Sequence, residues 1–137
     1  MVFYFYKTFY QNLHVLQGGF DLKKLTLIVP CFNEQEALPF FYKEAISVLK
    51  NLNYEYELLF INDGSKDNTL NILKDFADRD ACVKYISFSR NFGKEADMYA
   101  GFCNATGDYV AIMDADMQDP PDLLPEICLL YTSPSPR

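Results

Sequence analysis

The sequence predicts an α/β fold with a parallel sheet, and three observations carry that expectation. Short apolar runs alternate with amphipathic helical stretches from residue 22 to residue 127. The runs are nearly continuous rather than alternating, so they read as strands buried on both faces. Polar and turn-forming residues collect after each run, where an open parallel sheet binds its ligands.

The elements follow in order. Leu25-Thr26-Leu27-Ile28-Val29 is the first strand, ended by Pro30. Residues 36–52 then put Ala37, Leu38, Phe41, Ala45, Val48, Leu49 and Leu52 on one helical face. Leu58-Leu59-Phe60-Ile61 is the second strand, and Asn62-Asp63-Gly64-Ser65 closes it. A second helix turns Leu70, Leu73, Phe76 and Ala77 inward, with Ser65 or Asp67 as its cap. Residues 83–88 form the third strand. Residues 93–104 form the third helix, with Ala96, Ala100 and Cys103 on one side. Tyr109-Val110-Ala111-Ile112-Met113 is the fourth strand, ended by Asp114, and Asp119-Pro120-Pro121 opens a fourth helix. Such alternation implies right-handed crossovers and helices on both faces of one sheet. No repeat or linker interrupts it, so one domain is expected.

Composition removes several function classes. The 137 residues are half hydrophobic, which excludes a disordered chain. Twelve basic against nineteen acidic residues give a net charge of −7, with one histidine and no basic run. Nucleic acid is therefore not an expected partner. No apolar stretch approaches the roughly 18 residues of a spanning helix. Cys31, Cys82, Cys103 and Cys128 include no C-x-x-C pair, and His14 is far from all of them. Neither a zinc site nor a disulfide framework is expected, only buried reduced thiols.

Both ends differ from the middle. Residues 1–20 hold seven aromatics broken by Lys7, Gln11, Asn12, His14 and Gln17, with no signal-peptide pattern. Gly18-Gly19 can be encoded by GGAGG, a ribosome-binding sequence, and Leu22 by TTG, an alternative start codon. Residues 1–21 are accordingly expected to be an upstream-translated leader. The last ten residues, 128–137, back-translate into a string that resembles a transposon-based sequencing adapter. They are expected to be adapter read-through.

The chemistry collects at the strand ends. The first strand lacks a G-x-G-x-x-G turn, and no G-x-x-x-x-G-K-[ST] appears, which disfavours a hydride-transfer enzyme and a P-loop. Asp114-Ala115-Asp116 offers two carboxylates just past a strand, and Gln118 adds a neutral oxygen. Hard oxygen ligands of this kind suit Mg²⁺ or Mn²⁺, which could bridge a diphosphate. A second D-x-D, Asp78-Arg79-Asp80, reads as a solvated helix end. Asp63 is positioned to accept from a ribose hydroxyl or a base N–H. Arg90 and Lys94 flank Asn91-Phe92-Gly93 before the third helix, a plausible phosphate cradle. Phe32 could stack on a base. Taken singly, each also has a structural reading: turn and cap duty for Asp114, Asp116 and Asp63, surface charge for Arg90 and Lys94, packing for Phe32.

Together these stretches resemble the family 2 glycosyltransferases and their GT-A nucleotide-sugar-binding fold. The matching pieces are Ile28-Val29-Pro30-Cys31-Phe32-Asn33-Glu34, Asn62-Asp63-Gly64-Ser65-x-Asp67, Ser89-Arg90-Asn91-Phe92-Gly93-Lys94-Glu95 and Asp114-Ala115-Asp116-Met117-Gln118-Asp119-Pro120-Pro121. The third and fourth look most like the polyprenyl-phosphate branch. The resemblance implies a Rossmann-like donor-binding half of a GT-A domain over residues 22–127, with the acceptor half and membrane helices beyond it. Pro30, Phe32, Glu34 and Asp63 would hold the nucleoside. Arg90 and Lys94 would face the phosphates. Asp114, Asp116 and Gln118 would hold the metal, with Asp114 and Asp116 as the catalytic pair.

The implied reaction is inverting transfer of a sugar from a nucleotide-diphosphate sugar to a polyprenyl phosphate. The parent enzyme would work at the cytoplasmic face of a membrane. A non-catalytic nucleotide-diphosphate-binding fragment and a transferase with a saccharide acceptor are the alternatives. A Mg²⁺-dependent phosphatase using Asp114 is a weaker reading, because its nucleophilic Asp would more naturally follow the first strand. Asp97 departs from the family pattern, where a small apolar residue is more usual, and is expected to be an exposed change.

Overall fold

A run such as Leu25-Thr26-Leu27-Ile28-Val29 has no wet face, so both of its sides must be covered. The computed structural model, which describes residues 6–7 and 23–126, covers both sides. Its strands are β1 (Tyr6–Lys7), β2 (Lys24–Cys31), β3 (Glu55–Asn62), β4 (Val83–Ser87) and β5 (Tyr109–Ile112). They lie in the order β1-β5-β2-β3-β4. The last four are parallel to one another, with Leu27 opposite both Leu58 and Ala111. β1 joins β5 as an antiparallel edge, Tyr6 opposite Val110. The rest of the leader expected at 1–21, the adapter expected at 128–137 and Cys128 lie outside the described residues.

Three helices, α1 (Leu38–Lys50), α2 (Thr69–Arg79) and α3 (Lys94–Asn104), flank the sheet. On one face Phe41 and Leu49 of α1 and Leu73 and Phe76 of α2 share a core with Leu25, Leu27, Val29, Leu58 and Phe60. On the other, Met98 and Phe102 of α3 pack against Ile28, Leu59, Ile61, Val110 and Ile112. Successive residues of β2 thus enter opposite cores, as the two-residue period of a strand requires. The chain leaves β2 for β3 through α1 and later returns to the other side of β2 through α3. The strand order therefore reverses between β2 and β5, and a crevice opens beyond their carboxyl ends.

Local expectations needed correction in four places. The sheet-facing stripe of α3 runs through Asp97 and Gly101, with Met98 and Phe102 beside it, while Cys103 is exposed. Gly101 sets that stripe: a Cβ there would lie 2.7 Å from the Ile28 side chain, so only glycine lets the helix come this close. Among the described cysteines, only Cys31 is buried. The cap of α2 is Asn68, with no side-chain cap bond of its own. Asp67 serves that end instead, accepting the Thr69 N–H at 2.9 Å, and Ser65 is engaged elsewhere. Within the described residues the fourth helix begins as a 3-10 turn, Pro121–Leu123, and buries Leu124 in the α1-side core.

At the amino ends of the strands, Glu57 of β3 is 2% exposed. Its Oε1 accepts from Thr26 Oγ1 at 2.6 Å and the Thr106 N–H at 2.7 Å, and its Oε2 from Lys84 Nζ at 2.8 Å. One carboxylate therefore ties together β2, β3, β4 and the segment leading into β5. Burial pushes this carboxyl up, but the Lys84, Thr26 and Thr106 donors outweigh it and hold the group at about 2. Because the folded value lies below the ordinary 4.5, the stabilisation is full above 4.5 and is lost as pH falls toward 2. Glu57→Gln is expected to lower the unfolding free energy by roughly 2–3 kcal/mol at pH 7. The gap to the wild type should close between pH 4.5 and 2. Urea melts of both proteins across that range would check it.

Candidate functional site

The carboxyl ends of β2 and β3 release two loops that hydrogen-bond to each other. The Asn33 N–H donates to Ser65 Oγ at 2.9 Å, and the Lys66 N–H donates to Asn33 Oδ1 at 2.9 Å. The Glu34 N–H donates to Thr69 Oγ1, and the Gln35 N–H to Asp67 Oδ2. The Asn68 N–H donates back to Gln35 Oε1. Asn33 takes a φ of 52°, a left-handed conformation that asparagine tolerates better than most residues. Asn62 closes the second loop from beneath, accepting the Ser65 N–H and donating to Ser87 Oγ. Asn33 and Asn62 stand in the strand-end motifs with no role of their own assigned there, and Thr69 lies just beyond them; the polar residues that follow both strands are the signal for this contact.

Asp63 has a duty the sequence does not reveal. It is 2% exposed, its Oδ1 accepts the Phe92 N–H at 2.7 Å, and its Oδ2 accepts the Gly93 N–H at 3.0 Å. The end of β3 is thereby clamped to the loop that precedes α3. Gly64, next in sequence, makes the clamp sterically possible. Its φ is +67°, and a Cβ would stand 2.3 Å from the Arg90 carbonyl carbon.

Beyond β5, Lys94 Nζ donates to both carboxylate oxygens of Asp114 at 2.9 Å. Ala115 is buried and Asp116 is exposed, so the two acids leave the sheet in different environments. Met117 takes a φ of 63°, a strained value for this residue type, and the Gln118 N–H reaches Asp116 Oδ1 at 3.1 Å. Among the described residues, no three His, Cys, Asp or Glu side chains gather as a cation cage. Asp114 and Asp116 are hard oxygen donors that fit Mg²⁺ or Mn²⁺ only if further oxygens come from elsewhere.

The structure brings most, not all, of the expected site residues together. Pro30, Phe32, Glu34, Asp63, Lys94 and Asp114 line one cleft of about 250 Å³ at the β2/β5 switch point. Arg90 lines a neighbouring cleft of about 470 Å³ with Phe32, Ser65 and Lys66, and its guanidinium lies 4.6 Å over the Phe92 ring. Asp116 and Gln118 line neither. Within the first cleft, burial and then the Asp116 and Asp114 charges raise the Glu34 carboxyl. Burial, followed by Glu34, Asp97 and Asp114, pushes the Cys31 thiol well up, so it stays protonated and unreactive.

The same cleft overturns the expectation for Asp97. It is 4% exposed, not a surface residue, and it stands against Asp63. The physical reason is the Gly101 approach described above, which turns the 97–101 stripe of α3 onto the sheet.

Gly64→Ala is expected to lower stability by about 3 kcal/mol or more, through left-handed strain and the clash with Arg90. A drop in urea midpoint, with faster hydrogen exchange at the Phe92 and Gly93 amides, is the corresponding measurement.

Comparison with known proteins agrees with this fold. Glycosyl transferase family 2 matches residues 26–134. A prophage bactoprenol glucosyl transferase homolog of Escherichia coli (strain K12) is 47% identical over 104 residues, covering 76% of this chain and 34% of that protein. The undecaprenyl-phosphate 4-deoxy-4-formamido-L-arabinose transferase of Pseudomonas fluorescens (strain SBW25) is 38% identical over 104 residues, 75% of this chain and 30% of its own length. The chain thus spans about a third of the curated relatives it matches. In fold it is similar to a mannosyltransferase from Pyrobaculum calidifontis solved with GDP-Man and Mn²⁺, with a TM-score of 0.71 at 22% identity. That likeness covers 82% of this chain and 33% of the other. With four strand-end motifs, a parallel sheet with a switch point and a family match over most of its length, the chain belongs to glycosyl transferase family 2.

Proposed function

We propose that this chain binds the nucleotide-sugar donor of an enzyme that transfers the sugar, with inversion, to a polyprenyl phosphate. The observation that carries the reading is the convergence of Pro30, Phe32, Glu34, Asp63 and Asp114, from three strand ends, and of Lys94, from the start of α3, on one cleft. The acceptor class is supported by the names of relatives, which include bactoprenol and undecaprenyl-phosphate transferases. A nucleotide-sugar donor is supported by the GDP-Man in the solved mannosyltransferase.

The residues divide the work. Phe32 is 45% exposed at the cleft mouth and offers its ring to a base. Pro30, Glu34 and Asp63 form the floor beneath the nucleoside. Lys94 Nζ, now on Asp114, exchanges that carboxylate for a phosphate oxygen when the diphosphate enters. Arg90 approaches from the adjacent cleft. Asp114 and Asp116, with the neutral oxygen of Gln118, would hold Mg²⁺ or Mn²⁺, the donor's phosphates supplying the remaining oxygens. A bound divalent ion would neutralise charge on the departing nucleoside diphosphate.

A lipid phosphate has a second pKa of roughly 6, by analogy with phosphorylated side chains, and is already a nucleophile near neutral pH. Its oxygen bonds to the anomeric carbon from one side as the bond to the diphosphate oxygen breaks on the other. Asp114 and Asp116 therefore organise charge and take no proton.

Calorimetric titration of the full chain with UDP and GDP, with and without Mn²⁺, tests the proposal. One nucleotide is expected to bind about tenfold or more tightly with Mn²⁺, a gain lost in Asp114→Asn and Asp116→Asn. Lys94→Ala should weaken the diphosphate by roughly tenfold while leaving the nucleoside unchanged. Failure of both nucleotides to bind with Mn²⁺ would remove the proposal.

A further inference from the structure

Asp97 is buried without an adequate partner. Its Oδ1 is shielded from solvent and has no hydrogen-bond partner among the described residues. The group it faces, Asp63, is another acid. Both Asp63 oxygens already accept backbone N–H bonds, from Phe92 and Gly93. Two ionised carboxylates so arranged would repel in a water-poor site, and a single proton between them removes both faults at once.

We propose that Asp97 is a positioning residue: as a neutral acid it donates a hydrogen bond to Asp63, and the shared proton holds the 90–94 loop in the shape that brings Lys94 to the donor cleft. The balance is simple. With the proton in place the pair carries one negative charge; when it leaves to solvent the pair carries two, and the loop's anchor is under repulsion.

The surroundings favour the neutral form. Burial is the largest influence, followed by the charge of Asp63 and the hydrogen bond to it, and together they push the Asp97 carboxyl up to about 7. Lys94, on the same helix, pulls the other way but is paired with Asp114. The amino end of α3 also favours an anion and is likewise outweighed. From β2 the facing group is Cys31, which stays a neutral thiol. Glu34 and Asp114 share the cleft and add negative charge. No cation besides Lys94 lines this cleft among the described residues.

The test follows the amides of Phe92 and Gly93 by NMR in the full chain from pH 5.5 to 8.5. Both are expected to titrate with one midpoint near 7 in the wild type. Both should stay flat in Asp97→Asn, whose amide donates to Asp63 at every pH. Flat amides in the wild type, or the same titration in Asp97→Asn, would overturn the proposal. If Asp97→Asn does not fold, the wild-type amides and the Asp97 carboxyl carbon, titrating together or not, decide the question.

A second arm rests on the donor-cleft reading. UDP and GDP affinities with Mn²⁺ are compared at pH 6 and pH 8. The wild type is expected to lose several-fold more affinity at pH 8 than Asp97→Asn, the nucleotide's own titration being common to both. Equal ratios would overturn the link between the acid pair and the cleft. Titrating amides with no binding of either nucleotide at either pH would uphold the pair and sink the donor-cleft reading alone.

Discussion

Burial of β2 and β3 on both faces is the constraint from which the rest of the structure follows. Leu25, Leu27, Ile28, Leu58, Phe60 and Ile61 have no exposure to solvent, so helices must lie on each side of the sheet. α1 and α2 take one side and α3 the other. The chain can satisfy that only by reversing direction across β2, and the reversal opens the crevice at the β2 and β5 ends. Polar side chains are excluded from the middle of the strands and crowd at their ends. The position of the candidate site is thus a consequence of core packing.

Two buried acids show how the same cost is met in opposite ways. Glu57, at the amino ends of the strands, has three short donors, one of them a lysine, and remains an anion. Asp97, at the carboxyl ends, has a second acid beside it and no donor for Oδ1, and burial and that neighbour push its carboxyl up to about 7. The first arrangement belongs to stability, since it joins three strands and the start of a fourth. The second lies in the cleft, where in the arrangement proposed above a shared proton joins Asp97 to Asp63.

The loops around the cleft are joined to one another by hydrogen bonds. The loop after β2 is held by the loop after β3, which is pinned to the loop before α3 through Asp63. Gly64 permits the last contact by having no Cβ. Among the described residues, Asp114 and Asp116 stand apart from these loop contacts, Asp114 paired with Lys94 and Asp116 accepting the Gln118 N–H.

The order β1-β5-β2-β3-β4 and the antiparallel edge came only with the tertiary structure; the sequence by itself determined the four strands of the parallel class, their succession along the chain and the four strand-end motifs of the family. Those features rest on local periodicity and turn chemistry, which are written over spans of four to fifteen residues. It also located Asp63, Lys94 and Asp114 at strand or helix ends, without their partners. Tertiary structure alone decided that Asp97 is buried against Asp63, that Lys94 rather than Arg90 meets Asp114, and that Glu57 gathers four elements. Each of these depends on side chains that are twenty or more residues apart in sequence and brought together by crossovers. The facing stripe of α3 differs from the one expected for a related reason. The spacing of Ala96, Ala100 and Cys103 is as helical as that of Asp97 and Gly101, and only the close approach to Ile28 selects between them.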